Sequence, residues 1–283
     1  MHTKARIIAS IGPASNDKQV LRDMIRSGMK VARLNFSHGS HEGKTEVLEI
    51  LRELQHETGE HIAIIGDLQG PKLRLGELPE KGVKITNGEQ VCFTTNEKKA
   101  ENHVFAVNYD AFAKDVKPGN SILIDDGSIK LKATESNGKD SVKATVIAGG
   151  TLLSRKGINL PDSKLSLKAL SDKDKEDILF AVENNLDWLA LSFVRSSKDI
   201  KELRSYINEF FGKSRIIAKI EKPEAVNDID AITEAADGIM VARGDLGVEV
   251  DFKKVPVIQK NIVKLCIQKA KPVIIATQML DSM

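Results

Sequence analysis

The chain has 283 residues, 41% hydrophobic and 29% charged, enough for one large α/β domain or one domain carrying an inserted second. Its 42 basic and 40 acidic residues leave a formal charge of +2, so composition gives no electrostatic case for nucleic acid or a membrane as partner. Only two cysteines occur, no run approaches the ~18 apolar residues of a membrane span, and the N-terminus lacks a signal-peptide core, so a reducing cytoplasm is the expected compartment.

In chain order, short β-branched runs alternate with amphipathic helical patterns. ARIIASIG (5–12) precedes the helical NDKQVLRDMIRSG. KVARLNF (30–36) precedes KTEVLEILRELQHETG, whose apolar residues recur at i, i+3 and i+4, and HIAIIGDL (61–68) follows. From 71 to 163 the texture changes. GVKITNGEQVCFTT, NSILIDDGSIKLKATES and DSVKATVIAGGTLL alternate polar and apolar residues around Asn-Gly, Asp-Gly and Gly-Gly pairs, which predicts a small antiparallel β module. The β/α alternation then resumes with DWLALSFV (187–194) and SKDIKELRSYINEFFG, and RIIAKIE (215–221) leads into PEAVNDIDAITEAA. GIMVARGD (238–245) precedes VPVIQKNIVKLCIQKA, and PVIIATQML (272–280) is last. About seven parallel strands are expected. Residues 1–70 and 164–283 would form a discontinuous β/α barrel, and 71–163 an inserted β domain at its C-terminal face, where it can act as a lid.

The C-terminal ends of barrel strands are where active sites form. Lys219 and Glu221 are two apart and therefore share one side of their strand. Asp245 ends the next strand, so Glu221 and Asp245 can share a divalent cation, and two carboxylates with open positions suit Mg²⁺ better than Zn²⁺. The blander alternative makes Asp245 a helix N-cap and Lys219–Glu221 a rim ion pair. Other strand ends add Arg33, Asn35, Ser37 and His38, then Asp67, Lys72 and Arg74, then Ser192 and Thr277. Singly each reads as a solvated side chain; together they form the cation-plus-metal set that phosphoryl transfer needs. Arg243-Gly244-Asp245 also spells an adhesion tripeptide, but a cytoplasmic chain has little use for one.

Six segments in order, ARLNFSHG, DLQGPK, LSFVR, AKIEKPEA, ARGDLGVE and ATQML, resemble the pyruvate kinase family, bacterial type, and the resemblance runs from residue 3 to the last. It implies a TIM-type (β/α)8 barrel with an inserted β-barrel lid and a C-terminal regulatory domain. It also implies transfer of phosphoryl from phosphoenolpyruvate to ADP, giving pyruvate and ATP in the last step of glycolysis. Mg²⁺ or Mn²⁺ would be the cofactor, and intact relatives are expected to be homo-oligomers. By motif match, Glu221 and Asp245 correspond to the Mg²⁺ ligands, and Lys219 to the group that neutralises the moving phosphoryl. Arg33 would hold the phosphate, Ser192 would contact substrate, and Gly244 and Asp245 would offer backbone amides to the substrate carboxylate. Thr277 would stand at the proton-delivering face of the enolate. Asn35, His38, Arg74 and Lys156 would touch the nucleotide. Asn35, Ser37, Asp67 and the Leu68 carbonyl match a monovalent-cation site.

Two departures stand out. The chain stops at Met283, so the eighth strand and the regulatory domain are expected to be absent, and unpaired edge strands are expected to promote association. Lys72 lies where potassium-dependent relatives carry glutamate, so K⁺ is expected not to be required. Two rival readings stay open: a Mg²⁺-dependent barrel lyase or aldolase acting on pyruvate or oxaloacetate, and a truncated chain that binds ligand or partner without turnover.

Overall fold

The computed structural model describes residues 5–96 and 103–276. The chain opens with β1 (Ile7–Ile11), α1 (Lys18–Arg26), β2 (Met29–Asn35), α2 (His41–Thr58) and β3 (Ala63–Asp67). A stretch of small elements follows: β4 (Val83–Ile85), β5 (Gln90–Thr94), β6 (Val104–Ala106), α3 (Phe112–Asp115), β7 (Ser121–Ile124), β8 (Ile129–Ser136), β9 (Ser141–Ala148), β10 (Gly150–Leu152) and β11 (Ile158–Asn159). The chain then runs through α4 (Asp172–Glu183), β12 (Trp188–Leu191), α5 (Ser197–Glu209), β13 (Arg215–Ile220), α6 (Pro223–Asn227) and α7 (Ile229–Ala235). Last come β14 (Gly238–Ala242), α8 (Arg243–Glu249), α9 (Val255–Gln268) and β15 (Val273–Ala276). Among the described residues, no helix is long and apolar enough to cross a membrane.

Seven strands pair in parallel in the order β1-β2-β3-β12-β13-β14-β15, with the helices between them, which is the sheet of an α/β barrel. Local chemistry starts the helices. Asp17 accepts the Gln19 and Val20 amides ahead of α1, and Ser40 accepts the Gly43 amide ahead of α2. Gly59 stops α2 in the left-handed conformation at φ 69°. Ser171 and Asp174 form a reciprocal capping box on α4, a helix the sequence reading passed over although Ser-x-x-Asp before an apolar run announces it.

The strands have two distinct faces, as a period of two requires. Ala32 and Leu34 on β2, Ile64 on β3, Leu189 and Leu191 on β12, and Ile216, Ala218 and Ile220 on β13 pack outward in the main core with Leu48 and Leu51 of α2. The alternate residues Val31, Ile65, Ala190, Ile217 and Met240 form a second, smaller cluster on the inner face. Further along the same inner rows toward the strand C-termini stand Arg33, Asp67 and Lys219. That change from apolar to charged along one face is what builds the site.

Residues 73–160 have their own hydrophobic cluster, which includes Phe93, Phe105, Phe112, Ile122 and Val142. Six of the strands there form one sheet in the order β11-β7-β8-β9-β5-β6, and β10 pairs with β4 in another. The pairing is antiparallel except between β5 and β6, which run parallel. This corrects the expectation of a wholly antiparallel module. Turn residues alone did not reveal it: Asp126-Gly127 and Asn137-Gly138 join paired strands, whereas Asn87-Gly88 and Gly149-Gly150 carry the chain between sheets.

Gly66 on β3 faces the helix layer, where a Cβ would lie 2.5 Å from Phe36 Cε2 and 3.0 Å from Leu186 Cδ2. Gly66→Ala should therefore overpack this core and lower unfolding free energy by about 1–3 kcal/mol. Denaturant titration checks this, and an unchanged midpoint would show that the layer can yield.

Candidate functional site

Strand register brings the charged inner residues together. Ser10 on β1 pairs with Arg33 on β2, and Asn35 on β2 pairs with Asp67 on β3. Asp67 is 2% exposed. Its Oδ2 accepts from Arg33 Nε at 2.6 Å, and its Oδ1 lies 3.2 Å from Lys219 Nζ. Arg33 Nη1 also donates to Ser10 Oγ at 2.6 Å. Lys219 Nζ donates to Ser192 Oγ at 2.7 Å and lies 3.0 Å from Glu221 Oε1. The Ser192 hydroxyl in turn donates to the Leu68 carbonyl at 2.7 Å. The second Glu221 oxygen accepts the Phe193 amide at 2.8 Å. Phe193 holds a left-handed φ of 56°, uncommon for a bulky residue and of the kind found at functional sites.

Electrostatics follow from this packing. Burial alone would pull the Lys219 ammonium down, but the Glu221 and Asp67 carboxylates outweigh it and hold its pKa above the ordinary lysine value. Lys219 is thus a fixed positive charge at neutral pH. Glu221 goes the other way: burial raises its carboxyl, Lys219 opposes this, and the charge of Asp245 raises it further. Two carboxylates that repel each other in a buried setting are relieved by a cation between them. Among the described residues no three His, Cys, Asp or Glu side chains form a ligand cluster, and as a pair Glu221 and Asp245 would present a metal with carboxylate oxygens only, which are hard donors. That donor set fits Mg²⁺, which keeps water and substrate oxygens in its other positions, and does not fit Zn²⁺.

One cleft collects most of the expected residues. Arg33, Asn35, Ser37 and His38 line it from the β2 end, and Asp67, Leu68, Lys72 and Arg74 from the β3 end. Ser192, Lys219, Glu221 and Asp245 complete it. Within it Asn35 Oδ1 accepts the Ser37 amide at 2.9 Å. The stem of Lys72 packs over Gly157, where a Cβ would lie 3.0 Å from Lys72 Cε. Lys156 does not line the cleft; it pairs with Asp125 at 2.7 Å. Strand β14 ends at Ala242, so Arg243, Gly244 and Asp245 form the first turn of α8, not a strand end. Asp245 is not an N-cap, since Ala242 holds that position and no side chain caps the helix. Thr277 lies outside the described residues.

Three contributors were not foreseen. Ser10 orients Arg33, and its place on the inner row of β1 was the available signal. Gln69 lines the cleft beside Leu68. The Phe193 amide had no signal, because it depends on a backbone angle.

Fold and site define an α/β barrel with a cation-rich cleft, lined by the carboxylates of Asp67, Glu221 and Asp245, at its C-terminal strand ends. Residues 2–283 match the family model described as pyruvate kinase, barrel domain. The chain belongs to the pyruvate kinase family. It is 42% identical over 282 residues to a pyruvate kinase of Clostridium perfringens, covering 99% of this chain and 59% of that protein. It is likewise 42% identical over 284 residues to pyruvate kinase 2 of Synechocystis, covering 99% of this chain and 48% of that protein. A crystal structure of a pyruvate kinase from Cryptosporidium parvum superposes with a TM-score of 0.93 at 38% identity, covering 98% of this chain and 58% of that one. The chain thus spans about half to three-fifths of the length of these relatives.

Removing the central carboxylate leaves Arg33 and Lys219 without their shared partner. Asp67→Ala should destabilise the fold by about 3 kcal/mol, as expected when one member of a buried ion pair is deleted. Thermal or urea unfolding measures it, and a loss under about 1 kcal/mol would mean that water replaces the carboxylate freely.

Proposed function

We propose that this chain carries the phosphoryl-transfer site of a pyruvate kinase, moving phosphoryl from phosphoenolpyruvate to ADP to give pyruvate and ATP. The observation that carries the reading is Lys219, held charged among Asp67, Glu221 and Ser192 at the mouth of the sheet. A divalent ion held by Glu221 and Asp245 would supply charge neutralisation to the phosphoryl oxygens. The chain's own groups do the rest. Arg33, braced by Ser10 and Asp67, presents its guanidinium to the phosphoryl group. Lys219 meets the charge that spreads over the phosphoryl oxygens in flight. The uncapped first turn of α8 leaves the amides of Gly244 and Asp245 available to a substrate carboxylate. Thr277 is assigned the proton-delivering face from the sequence resemblance alone.

A second cavity adjoins the cleft and shares Arg33, Asn35 and His38 with it. Ile11, Pro13, Leu34 and Val47 line its apolar side, a surface suited to a nucleotide base. This supports Asn35 and His38 as nucleotide contacts, with Arg74 in the neighbouring cleft. Lys156 would join them by exchanging Asp125 for phosphate when the β domain moves. In this reading residues 1–70 and 164–283 form the barrel, and 71–163 are a β-barrel lid, in keeping with their separate core.

Lys219→Met tests the reading directly. Pyruvate formation from phosphoenolpyruvate and ADP with Mg²⁺ should show a kcat loss of at least ~10³-fold, about 4 kcal/mol, with KM little changed. A mutant altered only in KM would place Lys219 in ground-state binding, and an unmutated chain without turnover would leave a ligand-binding site alone.

The sequence resemblance implies a monovalent-cation site at Asn35, Ser37, Asp67 and the Leu68 carbonyl. We propose that Lys72 takes the place of K⁺ here. Lys72 lines the cleft that Asn35, Ser37, Asp67 and Leu68 also line, and if its ammonium swings from Gly157 into that cleft, two unit charges 4 Å apart at an effective dielectric near 20 repel by roughly 4 kcal/mol. Replacing K⁺ by a bulky organic cation should change kcat/KM by less than about threefold, ~0.7 kcal/mol, and Lys72→Glu should create a K⁺ requirement. Strong K⁺ activation of the unmutated protein would refute it.

A further inference from the structure

Glu249 closes α8, the helix whose first turn carries Asp245, and its side chain is 1% exposed. One oxygen, Oε1, takes two donors from different parts of the chain. Lys222 Nζ approaches from the residue after Glu221. Asn159 Nδ2 donates from β11 at 2.6 Å, and β11 belongs to the inserted β domain. The other oxygen is buried and has no hydrogen-bond partner among the described residues. Close by, the Asp126-Gly127 turn rests on the same helix: a Cβ on Gly127 would lie 3.6 Å from Val248 Cγ1. Asp126, Asn159, Lys222, Asp245 and Val248 line one narrow crevice between β domain and barrel.

An ion pair in this setting is a poor source of stability. Its charges are desolvated, and a buried carboxylate oxygen left unpaired is a net cost. Its geometry has a different consequence. Glu221 follows β13 directly and Asp245 lies in the first turn of α8, and Glu249 joins the residue next to the first to the helix that carries the second. The third arm of the junction comes from the β domain. We propose that Glu249 is a positioning residue that couples docking of the β domain to the spacing of Glu221 and Asp245. Divalent-ion affinity then depends on Asn159, a residue that contributes no ligand. The inference rests on the reading of Glu221 and Asp245 as a metal pair.

Mn²⁺ binding to the 283-residue chain, followed by electron paramagnetic resonance, tests both levels at once. Asn159→Asp sets a carboxylate against Glu249 and should push the β domain away. By Coulomb's law alone an added negative charge near the site would tighten cation binding. We expect the opposite, a loss of about tenfold, within the usual range of coupling between sites, with faster amide exchange at Gly127 and Val248. Asn159→Asp combined with Glu249→Gln exchanges donor and acceptor and should return affinity to within about threefold of the parent. If Asn159→Asp leaves affinity within about twofold or tightens it while Asp245→Asn abolishes binding, the coupling is wrong and the metal pair stands. Loss without recovery in the double variant also overturns the coupling. If Asp245→Asn itself has no effect, the metal pair is wrong and the coupling falls with it.

Discussion

The order of the site depends on the Asp67 carboxylate, buried between Arg33 of β2 and Lys219 of β13. A charge at 2% exposure persists only when cations and hydrogen bonds replace its water. Its partners stand on strands that are not its own, so strand register sets the charge balance. A slip of one residue would turn Asp67 toward the apolar layer occupied by Gly66 and its neighbours Phe36, Leu186 and Leu189. The outer packing of Leu34, Ile64, Leu189 and Ala218 thus holds the inner polar row in place. Apolar burial provides the stability, and the polar row uses the resulting rigidity.

The β segment 73–160, with its own core, is held to the barrel through its return segment as well as through α8. Arg195, just past β12, donates to the carbonyls of Leu165 at 3.1 Å and Leu167 at 2.8 Å. On the other side of that segment the Ser166 amide donates to Asp115 Oδ2 at 2.6 Å, and the Tyr109 hydroxyl donates to the same carboxylate. Burial and the neighbouring Asp115 charge raise the Tyr109 hydroxyl well above its ordinary pKa, so it remains a donor. Near the other crossing, Asp174 serves twice: it closes the α4 capping box and accepts the Gly70 amide at 3.0 Å. Both crossings are thus tied down by hydrogen bonds to buried or half-buried groups.

Much of this was legible beforehand. The seven strands, their parallel sense and the change of texture at residue 71 follow from hydrophobic period and turn chemistry, which are local properties. The charged residues at the strand ends could be chosen because Arg33, Asp67, Lys219 and Glu221 each break an apolar run. What was not legible were features that join distant residues. The parallel pairing of β5 with β6 and the transfer of the chain between sheets at Asn87-Gly88 depend on which strands meet, and similar Asn-Gly pairs serve both outcomes.

By itself the sequence determined the α/β class, the amphipathic faces and the stock of charged groups, because each depends on side chains a few positions apart. Tertiary structure decided how those charges are shared. Arg33, expected at the phosphate, braces Asp67; Lys156, expected at the nucleotide, pairs with Asp125; Glu249, unremarked in the sequence, links α8 to β11. Ion pairs and buried hydrogen bonds form between groups brought within about 3 Å by strand register and domain packing. Pattern along the chain carries no record of which distant group arrives.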